Sequence, residues 1–157
     1  MPQNAPFYSR RVVLGLLAAL PFASAGHATG RPEVTVAKDP NCGCCNGWVE
    51  HLRQAGFEVR VTDTAALRPL KARLGVPEDL VSCHTAQVGG YVVEGHVPAT
   101  AIDRLLRERP KAIGLAVPGM PIGSPGMEGG DPEPYDVVLF AKDSRDVFAR
   151  YLGARPI

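Results

Sequence analysis

The chain has 157 residues, a formal net charge of +1, 45% hydrophobic and 21% charged residues. That is the profile of one globular domain with a modest core. The absence of a Lys/Arg run argues against a nucleic-acid surface, and the absence of an acidic run argues against a disordered acidic tail.

In chain order, the first segment reads as an export signal over residues 1–25. Arg10 and Arg11 precede an apolar run from Val12 to Leu20, and Ala23-Ser24-Ala25 has the small-residue pattern of a cleavage site. Ser9-Arg10-Arg11 also resembles a twin-arginine signal. An uncleaved anchor is the alternative, but the apolar run is short and broken by Pro21. Cleavage leaves no membrane span, and leaves 15 basic against 16 acidic residues.

Glu33 to Lys38 is β-branched and predicts a buried first strand. The loop "DPNCGCCNGW" follows, and then a helix with Trp48, Val49 and Leu52 on one face, ending near Gly56. Phe57 to Asp63 is a second strand. Thr64 can cap a second helix carrying Leu67, Leu70 and Leu74, with Pro69 forcing a late start or a kink. Thr85 to Gly95 predicts a hairpin turning at Gly89-Gly90. Pro98 opens a third helix with Ile102, Leu105 and Leu106 inward, and Pro110 stops it.

From Pro110 to Pro134 the chain has 25 residues with six prolines and six glycines. Loops of that length inside a domain are functional or disordered. This one carries Ile113, Leu115, Val117, Met120, Ile122 and Met127, so it is expected to drape over the domain and be anchored. Tyr135 to Lys142 predicts a strand, and Asp143 or Ser144 caps a short terminal helix carrying Val147, Phe148 and Tyr151. The order is β-α-β-α-β-β-α, then loop, strand and helix. It is the order of a thioredoxin-like α/β core, here a single domain over residues 33–152.

In such a core the loop between the first strand and first helix holds reactive cysteines, where the helix N-terminus stabilises thiolates. Cys42, Cys44 and Cys45 fall there. Cys42 and Cys45 have redox C-x-x-C spacing. A third thiol between them would attack their disulfide, which suits a soft metal better than an oxidoreductase. Cys83 sits where that fold brings a second loop beside the first. Met120 and Met127 can reach the cysteines if the Gly/Pro-rich loop folds over them, and sulfur-rich sites with methionine favour Cu(I).

Plainer readings stand beside these. Cys83 can be a buried small hydrophobe and the methionines core filler. His84 and His96 are each ligand or turn residue. His51 is expected to be solvated, His27 to lie in a frayed terminus and Trp48 to pack beneath the cysteine loop. Lys38 and Asp39 either tune the thiolates or form a solvated pair.

The stretches "DPNCGCCNGWVEHL", "SCHTA", "GYVVEGHVP", "AIGLAVPGMPIGSPGME" and "YDVVLF" resemble the CopG-type copper-resistance proteins, across about Val34 to Phe140. The resemblance implies periplasmic copper handling on a thioredoxin-like scaffold. It implies copper on Cys42, Cys44, Cys45 and Cys83, with Met120, Met127 and His96 as further candidates. Exchange with another periplasmic copper carrier or efflux component follows, and copper-dependent oxidoreductase activity is left open. Two other readings remain: a thiol–disulfide oxidoreductase using Cys42 and Cys45, and a metal-stabilised interaction domain.

Overall fold

The structure is a computed structural model and describes residues 1 and 30–157. Apart from Met1, the expected export signal falls outside the described residues, as does His27. Strand β1 (Val34–Lys38) is followed by α1 (Gly43–Gln54), β2 (Val59–Asp63), α2 (Leu67–Arg73) and a 3-10 turn (Glu78–Leu80). Then come β3 (His84–Val88), β4 (Tyr91–Gly95), α3 (Ala99–Glu108), β5 (Gly114–Val117), β6 (Pro134–Phe140), β7 (Arg145–Leu152) and β8 (Arg155–Pro156). The strands form one sheet in the order β2-β1-β3-β4-β5-β6-β7-β8. Among the described residues, only β1–β2 and β4–β5 are parallel pairs. Each of these is joined by a helix, as parallel neighbours require.

Period-two alternation divides the sheet into two faces. Val34, Val36, Ala86, Val88, Val93, Leu115 and Val117 pack against Trp48 and Leu52 of α1 and Ile102 and Leu105 of α3. The intervening Val92 and Ala116 face the other way, with Val76, Leu80 and Phe140 in a smaller cluster. Helix α2 starts late, at Leu67, so Pro69 stands in its first turn, where its missing N–H costs no helical bond. The hairpin turns at Gly89 and Gly90, both at positive φ.

Two expectations are corrected. The stretch 110–134 is not one loop: Gly114–Val117 form the buried strand β5 between β4 and β6. Its apolar residues sit in the sheet, and the draped segment begins at Pro118. The C-terminal helix is absent, and Arg145–Leu152 form β7, paired antiparallel to β6. Non-local partners decide this. Tyr151 stacks on Tyr135, and Phe148 lies beneath the Arg104 guanidinium, so pairing with β6 outweighs the local helical spacing.

Candidate metal centre

The cysteine loop is held by its own backbone. The Asp39 carboxylate accepts the Asn41 N–H at 2.8 Å, and the Asp39 carbonyl accepts the Cys42 N–H at 3.1 Å. This Asx turn delivers Cys42 in extended conformation to the N-terminus of α1, with Cys44 and Cys45 in the first helical turn. No side chain caps the helix, so its positive end lies among the sulfurs. Cys45 is fully buried above Trp48, whose indole N–H donates to the Val97 carbonyl at 2.8 Å. Trp48 is thus core beneath the cysteine loop, as expected.

Cys42 and Cys45 are joined as a disulfide, and Cys44 and Cys83 are free. The Cys44 sulfur lies 3.5 Å from that of Cys42. Cys83, at the entry to β3, comes to the same place: the four sulfurs all lie within 4.8 Å of one another. Burial pushes the Cys83 thiol up to about 12, with the nearby Cys44 adding to the shift.

Cys83 also belongs to a second set. Its sulfur lies 3.0 Å from His96 Nε2 and 3.2 Å from His84 Nδ1, and both imidazoles are fully buried. Burial lowers both histidine pKa values, which favours the neutral rings. His96 Nδ1 lies 2.7 Å from the Pro125 carbonyl, which can only accept. The ring proton is therefore on Nδ1, and Nε2 presents its lone pair to Cys83. Among the described residues, His84 Nε2 has no hydrogen-bond partner.

Pro125 belongs to the draped segment, which meets α1 backbone to backbone. A Cβ on Gly126, whose φ is 87°, would stand 2.4 Å from the Cys44 carbonyl oxygen and 2.6 Å from the Trp48 nitrogen. Met127 follows directly, half-buried, its N–H donating to the Ser124 carbonyl at 2.7 Å. Met120 is 40% exposed, at a positive φ.

The structure thus gathers Cys42, Cys44, Cys45, Cys83, His84 and His96, places Met127 next to the anchored Gly126 and leaves Met120 on the surface. Two side readings are corrected. Lys38 is buried: its ion pair is with the Asp63 carboxylate at 2.9 Å, and it meets Asp39 only at the backbone carbonyl, at 3.2 Å, so the two do not form a solvated pair. His51 is half-buried and its Nε2 accepts the Ala99 N–H at 3.0 Å, which supplies the α3 N-terminus with an acceptor. Sequence reasoning missed Lys71, Thr85 and Glu94, which form a buried network behind Cys83. A signal existed: Lys71 falls on the Leu67–Leu74 stripe of α2, and Glu94 interrupts the apolar run of β4.

Among the described residues, no helix is long and apolar enough to cross a membrane. Residues 80–127 match a family described as protein of unknown function DUF411. Two solved structures named copper resistance protein CopG, Form 1 and Form 2, are each 47% identical to the chain. Each match covers 77% of this chain and 98% of the other, with TM-scores of 0.72 and 0.73. No curated protein matches.

Proposed function

This chain belongs to the CopG-type family of copper-resistance proteins, and from that premise we propose that it binds copper in the periplasm and acts in copper resistance by sequestration, transfer or redox cycling. Cu(I) is held by the thiolates of Cys42, Cys44, Cys45 and Cys83, with His96 and Met127 as further ligands; the exposed Met120 joins them only if the draped segment moves. The observation that carries this is the convergence of four sulfurs within 4.8 Å from two loops far apart in sequence. Soft thiolates and neutral imidazoles in a buried pocket fit a soft cation. Two of the sulfurs are tied in the Cys42–Cys45 disulfide, so the four-thiolate set forms on reduction.

The proposed scaffold is a thioredoxin-like core. Its support is the element order β-α-β-α-β-β-α through α3 and the strand order β2-β1-β3-β4, with the cysteines at the N-terminus of α1. Residues 33–152 form the proposed domain. Periplasmic location rests on the N-terminal export pattern. Protein recovered from a native periplasm is expected to begin between Gly26 and Arg31 by mass spectrometry, and a full-length cytoplasmic product overturns export.

The testing experiment is a competition titration on anaerobic, fully reduced protein. Cu(I) is expected to displace Zn(II); zinc binding as tight or tighter, with no displacement, overturns the copper reading. The disulfide itself favours a second reading, a thiol–disulfide oxidoreductase using Cys42 and Cys45. That reading expects Cys44→Ser to keep reductase activity and leave copper affinity unchanged.

A further inference from the structure

Behind the cysteines, on the α2 face of the sheet, lies a fully buried ionic network. Lys71 Nζ donates to Glu94 Oε1 at 2.5 Å and to Thr85 Oγ1 at 2.6 Å, and the Thr85 hydroxyl donates to Glu94 Oε2 at 2.6 Å. Lys71 and Glu94 are 4% and 0% exposed at their side chains. Burial pushes the Glu94 pKa up, against the pull of Lys71. A desolvated ion pair is poor evidence for stability, because an apolar pair of similar volume often serves as well. Its fourth contact points to another role. The Ser82 N–H donates to Glu94 Oε1 at 2.6 Å, and Ser82 is the residue before Cys83.

The neighbourhood makes this bond consequential. Ser82 lies outside β3, so no ladder partner holds its N–H. Its own hydroxyl is buried beside the Cys83 thiol and makes no hydrogen bond of good geometry among the described residues. Thr85 and Glu94 are directly opposite each other in the β3–β4 ladder, so the carboxylate projects from a rigid position. Cys83 joins the sulfur cluster to the histidine pair, and it follows directly on the backbone that Glu94 holds at Ser82.

We propose that Glu94, oriented by Lys71 and Thr85, is a positioning residue for the metal centre: it holds Cys83 against the other thiols by accepting the Ser82 N–H. It does so from the opposite face of the sheet and touches no sulfur. Lys71 is needed to keep the carboxylate buried and aimed, and Thr85 to hold its second oxygen.

Two double variants separate positioning from bulk stability. Lys71→Met with Glu94→Gln removes both charges but keeps a carbonyl oxygen for Ser82, and the Gln amide can donate to Thr85. Lys71→Met with Glu94→Leu removes both charges and the acceptor. Urea unfolding sets the folded fraction of each. Two readouts follow on folded protein. The first is the alkylation rate of Cys83 relative to Cys44 in the Cys42–Cys45 disulfide form, which needs no metal. The second is Cu(I) affinity of the reduced form, which rests on the copper reading.

The Gln variant is expected to match the parent in both. The Leu variant is expected to alkylate Cys83 severalfold faster relative to Cys44 and to bind Cu(I) about tenfold more weakly or worse. If both variants behave alike on the alkylation ratio, the positioning role is overturned. A parent that binds no Cu(I) sinks the copper reading alone, because the alkylation comparison still decides this one.

Discussion

Cys83 Sγ and His96 Nε2 lie 3.0 Å apart at the open end of the β3–β4 hairpin, where the register that pairs Thr85 with Glu94, continued by two residues, sets them opposite each other. The relationship depends on the Pro125 carbonyl, which accepts the Nδ1–H of His96 and leaves the Nε2 lone pair facing the sulfur. One thiol is thereby shared between a cluster of sulfurs and a pair of imidazoles.

Cys44→Ser and Cys83→Ser are each expected to weaken Cu(I) binding to the reduced protein by at least about a hundredfold, or ~2.8 kcal/mol. The two changes should be alike, because one lost ligand leaves the remaining thiolates to rearrange in either case. Competition with a Cu(I) chelator under anaerobic conditions measures this. Unchanged affinity in both, with reductase activity lost only on replacing Cys42 or Cys45, would favour the oxidoreductase reading.

Gly126→Ala should loosen the draped segment. The added methyl meets the Cys44 carbonyl and the Trp48 nitrogen, both backbone atoms that cannot swing aside, and the residue would be strained at its positive φ. A destabilisation of about 1–3 kcal/mol is expected in urea. Cu(I) affinity should fall with it, because Pro125 then no longer orients His96. An unperturbed melt with full affinity would show that the segment does not hold the site.

Trp48→Phe removes the donor to the Val97 carbonyl and leaves a gap under Cys45. A loss of about 1–3 kcal/mol is expected from the unpaired carbonyl, before any packing cost. Trp48 is the chain's single tryptophan, and its ring centroid lies 4.3 Å from that of His84. In the parent protein, intrinsic fluorescence should therefore change on metal addition, and titration by fluorescence tests that directly.

His51 supplies a pH dependence whose sign can be worked out. Burial depresses its pKa, opposed in part by Glu128, and the neutral ring accepts the Ala99 N–H. The unfolded chain then binds more protons at this position, so stability falls as pH falls below the ordinary histidine value of about 6.5. His84 and His96 act with the same sign. His51→Ala should cost about 1 kcal/mol near neutral pH and make the acid-side decline shallower. Denaturant melts of both proteins between about pH 7 and pH 5 check it; parallel curves would contradict the assignment.

Much of the fold up to α3 was legible because each element carries its own local signal. The Trp48–Val49–Leu52 stripe marks α1, Gly89-Gly90 marks the hairpin and Pro98 with Pro110 brackets α3. Clustered thiols on one tight turn announce a site by themselves, since their proximity is covalent. Local signals fail where pairing decides. Gly114–Val117 look like loop among prolines and glycines, and become strand because β4 and β6 flank them. Arg145–Leu152 carry helical spacing, and become strand because β6 offers a ladder and Tyr135 a stacking partner. The same limit applies at the site. The sequence by itself determined which sulfurs sit in the first loop and that Cys83 and the draped segment were candidates to join them. Only tertiary structure decided that Cys83 meets both the sulfurs and the histidines, that Met120 stays on the surface, and that Lys71 and Glu94 are buried together behind Cys83. Those outcomes depend on long-range closure and on desolvation, and neither is written in the spacing of neighbouring residues.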